Sequence, residues 1–192
     1  MQHEMKKILM ISYVFPPIAY VGTYRSLRFC RYLPENGWLP EVLTIKRYDD
    51  IHNDDQLLDL VPPQVKIHRT HTIDFWRMWQ KYLRRKKTES TKKETSIATN
   101  PGRRDSSQGN TIVGEIKRWL CELVTIPDHM VFWVPFALIR GISLIRNSRI
   151  DLIYTSSPPH SEHLIGLILS KIFRIPWVAD FRDPMLDSSG YV

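Results

Sequence analysis

Three stretches of this chain share one shape: an apolar run that stops at proline. Lys6–Phe15 (KKILMISYVF) runs into Pro16-Pro17, Ile150–Ser156 (IDLIYTS) into Ser157-Pro158-Pro159, and Ile175–Phe181 (IPWVADF) into Arg182-Asp183-Pro184. Short continuous apolar runs fit strands buried on both faces, and such strands belong to parallel sheets. Proline cannot donate to a sheet ladder, so each run ends where its prolines begin. Glu41–Ile45 and Val65–Thr70 read as two further strands.

Helical periods separate the strands. Thr23–Leu33 is one, with Asn36-Gly37 as its stop signal. Asp49–Leu60 reads as an acidic loop with a short helix, and Phe132–Arg146 as a helix broken near Pro135. Ser161–Phe173 is a helix with Leu164, Leu167, Ile168 and Ile172 on one face. Strands alternating with helices predict an α/β fold with a doubly wound, mainly parallel, Rossmann-like sheet. A length of 192 residues suits one domain over 1–192.

Charge is unevenly placed. The net charge is +7, but Trp76–Arg104 holds ten cations against two acids, so this stretch carries +8 and the remainder −1. Residues 86–110 hold a single large apolar side chain, Ile97, and are expected to be a disordered basic insertion. Ahead of them, Phe75–Arg85 places aromatic and basic residues at helical spacing, as does Thr111–Val124 for a plainer helix. Trp76 and Trp79, with Lys81, Arg84 and Arg85, suit an anionic membrane surface; a helix packed on its own domain fits the same pattern. No nucleic-acid-binding module accompanies the cations. Val131–Ile145 is apolar but carries Arg140, and no run is expected to span a bilayer. Cys30 and Cys121 are too few for a disulfide framework and read as small buried residues in a reducing, cytoplasmic compartment.

Ligands of open α/β sheets bind at the carboxyl ends of the strands, so three loops are the candidates. The first, Pro16–Arg25, carries Gly22 before a helix start, which suits a phosphate, with Arg25 nearby; a turn glycine and a solvated arginine fit equally. It lacks the G-x-G-x-x-G dinucleotide fingerprint. The second, Thr155–Ser161, offers Ser157 and His160 as a polar rim, with Ser161 as a helix cap. His160 and His163 lack a third metal ligand, and no metal or other cofactor is expected. The third, Asp180–Pro184, offers Asp180, Arg182 and Asp183, either as a cleft rim or as an Arg–Asp salt bridge locking a strand end.

Together, Lys7–Pro17 with Gly22 and Arg25, Pro127-Asp128 with Trp133 and Pro135, Asp151–Pro159 and Ile175–Pro184 resemble the N-terminal domain of family 4-like glycosyltransferases of the GT-B fold. The nearest members serve bacterial surface-polysaccharide synthesis. The resemblance implies a retaining transferase that moves a sugar from a nucleotide-sugar donor to a polysaccharide or lipid-linked acceptor. The expected place in the cell is the cytoplasm, peripheral on the inner face of the plasma membrane, and this rests on the aromatic and basic stretch Phe75–Lys87 and not on the resemblance. The N-terminal domain of such enzymes mainly holds the acceptor. Gly22 would give backbone access to the donor phosphates, Arg182 would stand where many relatives have histidine, and Asp183 would hold Arg182. Val21-Gly22 replaces the paired glycines of many relatives. The donor domain with its Glu-x7-Glu motif is expected to be absent, leaving the chain inactive alone. The alternative is a non-catalytic, membrane-associated module that acts with a separate donor-domain chain.

Overall fold

A computed structural model describes residues 5–46, 52–73 and 126–182. The expected helices 75–85 and 111–124, the tract 86–110, Cys121, Asp183 and the proposed membrane residues Trp76, Trp79, Lys81, Arg84 and Arg85 lie outside the described residues. The chain divides into two units, Met1–Ile73 with Phe132–Val192, and Asp74–Val131. In the described part of the second unit, Asp128 accepts the Met130 N–H at 2.9 Å and turns the chain.

The first unit is built on five strands: β1 (Lys6–Ile11), β2 (Trp38–Ile45), β3 (Lys66–Thr70), β4 (Leu152–Ser157) and β5 (Trp177–Phe181). All pair in parallel, in the order β3-β2-β1-β4-β5. Helices are α1 (Val21–Tyr32), the short α2 (Gln56–Asp59), α3 (Val134–Asn147) and α4 (Ser161–Phe173). The expected doubly wound α/β sheet is therefore observed. Its order reverses between β1 and β4, which puts the topological switch point, where open α/β sheets bind ligands, at their carboxyl ends.

Alternate residues of each strand face opposite layers. Ile8, Met10, Val42 and Tyr154 form one buried cluster with Phe15, Cys30 and Val65, on the α1 side. Leu9, Ile11, Leu43 and Ile153 point the other way, toward α3 and α4. Burial pushes the Cys30 thiol up to about 12, as a packed rather than reactive cysteine requires. Glu41, also buried, is met by His68 at 3.2 Å and Lys7 at 3.5 Å.

Several boundaries differ from expectation. β1 stops at Ile11, not Phe15, because Ser12 turns its hydroxyl back to the Val14 carbonyl at 2.9 Å. Pro135 does not break a helix; it occupies the first turn of α3, where its missing N–H has no partner to lose. A 3-10 turn, Pro34–Asn36, follows α1, and Gly37 closes it in the left-handed region at φ 79°. The stretch His129–Asn147, with mean hydropathy 1.3, is long and apolar enough by composition to cross a membrane, contrary to the expectation from Arg140. Here α3 instead covers the sheet, with Trp133, Ala137, Gly141 and Leu144 buried.

The packing face of α4 also differs. Ile165, Gly166 and Leu169 are buried, whereas Leu167 and Ile172 are exposed. The helix is apolar nearly all round, so periodicity alone does not select a face. Glycine selects it: a Cβ on Gly166 would stand 2.5 Å from Trp177 Nε1 and 2.8 Å from Thr155 Cγ2. Gly141 of α3 is likewise filled by Leu169, whose Cδ1 lies 2.6 Å from a Cβ there.

Candidate functional site

The loop after β1 is fastened along its length. The Tyr13 N–H donates to Glu162 Oε1 at 2.6 Å, and the Tyr13 carbonyl accepts Thr44 Oγ1 at 3.1 Å. Arg69 Nη2 donates to the Pro16 carbonyl. The Asp54 N–H donates to the Pro17 carbonyl at 2.8 Å, and Thr23 Oγ1 to the Ile18 carbonyl at 2.7 Å. Trp133 supports the loop from below: it is fully buried, its ring meets that of Tyr13 edge-on at 5.3 Å, and its indole N–H donates to Thr70 Oγ1 at 2.7 Å.

This loop delivers α1 with its amino end open. Tyr20 holds the cap position without a side-chain hydrogen bond, and no acid stands in the first turn. The first amides of a helix carry a partial positive charge and lack partners within the helix. Gly22 sits there, buried, and Arg182 Nη1 is 3.4 Å from where its Cβ would be. Two of the sequence-predicted residues thus converge: the guanidinium lies over a side-chain-free helix start. Among the described residues Arg182 forms no salt bridge.

Arg25 and Asp180 are bonded to each other. Asp180 Oδ2 accepts Arg25 Nε at 2.8 Å and Nη2 at 2.5 Å, Tyr154 Oη at 2.6 Å and Ser156 Oγ at 3.1 Å. Burial alone would raise the carboxyl pKa; the hydrogen bonds from Tyr154 and Arg25, with the Arg25 charge, outweigh it and hold the pKa below the usual value. Burial, then the bond to Asp180, pushes the Tyr154 phenol up to about 12, so it remains a donor.

The β4–α4 turn holds the other predicted residues. Ser157 is fully buried and its hydroxyl has no partner among the described residues. His160, not Ser161, holds the α4 cap position, and no side chain caps it. The His160 ring stacks on Phe181 at 6.5 Å. His163, which carried no expected role, is buried with its ring 4.2 Å from that of Phe181. Trp177 Nε1 can only donate, and does so to Thr155 Oγ1 at 2.9 Å. Thr155 Oγ1 also lies 2.7 Å from His163 Nδ1, so Thr155 joins the two rings.

Burial, and secondarily the neighbouring His160, lowers the His163 pKa. The unfolded chain therefore binds this proton first as pH falls. Stability should be full above the ordinary histidine value of about 6.5 and decline below it until the folded pKa is reached. Urea midpoints measured between neutral and mildly acid pH should show this decline in the native chain and a shallower one in His163→Gln. An identical pH dependence would place the responsible proton elsewhere.

No protein-family model matches the chain, and no curated protein matches it. Among solved structures, apo UGT2 of Phytolacca americana aligns at 10% identity and TM-score 0.46, over 92% of this chain and 29% of its own. The same protein complexed with UDP-2fluoro-glucose and pterostilbene aligns at 12% identity and TM-score 0.47, over 94% and 31%. The chain therefore spans less than a third of these two proteins. The C-terminal domain of a Pyrococcus furiosus hydrogenase aligns at 12% identity and TM-score 0.41, over 92% of both chains. With TM-scores below 0.5, the activity of this chain is left to be argued from its own residues.

Proposed function

We propose that the chain is the acceptor-side half of a retaining sugar transferase, in which the diphosphate of a nucleotide-sugar donor reaches the notch between the start of α1 and Arg182. The observation that carries the reading is the 3.4 Å approach of Arg182 Nη1 to the Cβ position of Gly22. When a glycosyl–phosphate bond breaks, negative charge grows on the phosphate oxygens. A fixed guanidinium and helix-start amides oppose that charge without reorganising at the moment of reaction. The hydrogen bonds that fasten the loop after β1 keep those donors in place. Arg25 is a positioning residue in this reading: its pair with Asp180 ties α1 to β5, the strand that leads to Arg182. Asp183, outside the described residues, is assigned the role of holding Arg182 in place. The resemblance of the three loops supports assigning the nucleoside to a second α/β domain, so transfer by this chain alone should be weak or nil.

Titration with a nucleoside diphosphate, followed by NMR, tests the notch. Saturable binding is expected, weakened about tenfold or more in Arg182→Ala, the loss of one charge-assisted contact. Gly22→Ala should weaken it too, because the new Cβ would stand 3.0 Å from Val14 Cγ2 and 3.4 Å from the guanidinium. Binding indifferent to both substitutions rejects the notch. Efficient sugar transfer by the isolated chain rejects the half-enzyme reading, and saturable NAD binding at Gly22 would move it to an oxidoreductase.

A further inference from the structure

A second group of basic side chains stands on the same sheet edge, at the ends of β2 and β3. Lys46 follows β2 and His71 follows β3, and the Lys46 N–H donates to the Thr70 carbonyl at 2.8 Å. The register pairs Thr44 with Arg69. Lys46 and His71 lie two residues further along their strands, so all three basic side chains share one face of the sheet. Lys46 Nζ lies 2.8 Å from His71 Nε2. A charged ammonium can only donate, so the imidazole accepts there. Arg69 spends its guanidinium on the carbonyls of Ile45, at 3.3 Å, and Pro16. Among the described residues none of the three meets a carboxylate. The nearby Asp54 carboxylate is turned to its own chain, accepting the Gln56 N–H at 3.0 Å.

With Nε2 accepting, the imidazole keeps its N–H on Nδ1 and the ammonium keeps two further N–H donors, and among the described residues no acid stands between these groups. We propose that Lys46 and His71, backed by Arg69, form an anion subsite for a phosphate or diphosphate group. It is separate from the Gly22–Arg182 notch. From the end of β2 to the end of β5 there are three inter-strand steps, or roughly 14 Å at the usual strand spacing. One phosphate cannot touch both places. Lys46 and His71 are exposed and Arg69 half-buried, so the subsite is open to a ligand lying along the carboxyl edge. The subsite stands whether or not sugar transfer is the chemistry of the notch. If it is, the acceptor carries a phosphate, and its charged end lies on the β2–β3 side of the switch point.

Titration of the intact chain with inorganic pyrophosphate, followed by NMR of backbone amides and histidine side chains, tests the subsite. Shifts are expected at Lys46, Thr70 and His71. Affinity at these positions should fall about tenfold in Lys46→Gln and again in His71→Gln, while Arg182→Ala leaves it unchanged. A parallel arm uses vesicles of neutral lipid with and without a phosphomonoester headgroup. Binding to the charged vesicles that both Gln substitutions weaken points to a lipid-borne phosphate; binding to pyrophosphate alone points to a soluble one. Either result supports the subsite. Shifts confined to Gly22 and Arg182, or affinities unmoved by Lys46→Gln and His71→Gln, overturn it and leave the notch reading intact. The converse, shifts at Lys46 and His71 with none at Gly22, sinks the notch alone.

Discussion

Trp133→Ala is expected to destabilise the first unit by about 3–5 kcal/mol, the usual result of emptying a fully buried tryptophan site. In a chain of this size that corresponds to a fall in Tm of roughly 10 °C or more. The side chain is 0% exposed. Its loss would leave a cavity beneath the loop after β1, remove the edge-on contact with Tyr13 and leave Thr70 without the indole donor. Trp133→Phe separates these contributions: it keeps most of the apolar volume and loses the N–H with a small part of the ring system, so about 1–2 kcal/mol is expected. Urea and thermal denaturation of the two variants measure both. The experiment also decides between the two readings that composition allows for His129–Asn147. A helix crossing a bilayer does not need Trp133 against Tyr13, and an unchanged midpoint in Trp133→Ala would mean that α3 does not dock on this sheet. Because Tyr13 also donates its N–H to Glu162, the alanine variant should loosen the loop that presents Gly22 and weaken anion binding there.

The strands were legible because each is a continuous apolar run, and only a two-sided burial favours that pattern. Once the strands are parallel, their carboxyl ends gather on one edge, which is why Gly22 and Arg182 were nameable before their meeting was seen. What was not legible depends on register. Arg25 and Asp180 each read as rim residues, but their pairing needs Ser156 opposite Asp180 and α1 lying across the same face. Tyr154 and the Trp177–Thr155–His163 chain need the same register and the close approach that Gly166 permits. The buried face of α4 was misassigned because an all-round apolar helix has no preferred side until its glycine meets Trp177. The basic side chains of Lys46, Arg69 and His71 were hidden by arithmetic: outside 76–104 the chain sums to −1, and a regional sum cannot reveal a local cluster assembled from two strands.

Asp180→Ala should be the most damaging change at the rim itself. One carboxylate oxygen accepts four hydrogen bonds, from two atoms of Arg25 and from Tyr154 and Ser156. The Arg25 side chain is 44% exposed, so water replaces much of what it loses, and the ion pair alone is worth at most about 1 kcal/mol. Tyr154 is the deciding partner. It is 8% exposed, and its hydroxyl would be left inside the sheet without its acceptor, at a cost of about 1–3 kcal/mol. The sum, about 1–4 kcal/mol, should appear as a lower urea midpoint. The double variant Asp180→Ala with Tyr154→Phe should recover part of the loss, because it removes the stranded hydroxyl; no recovery would mean that the cost lies in the ion pair. The acid limb gives an independent check. Because the folded carboxyl has the lower pKa, the contribution of its charge is complete above the unfolded value of about 3.9 and vanishes as pH falls through the folded one. The gap in stability between native chain and Asp180→Ala should therefore be constant from neutral pH to about 4 and narrow below it, where the charge-dependent part is lost and a protonated carboxyl still accepts from Tyr154. A gap that persists undiminished at lower pH would show that the charge of Asp180 is not what joins α1 to β5. In that case the arginine on α1 would be free to serve the ligand directly, and Arg25→Gln would weaken nucleoside diphosphate binding as strongly as Arg182→Ala does.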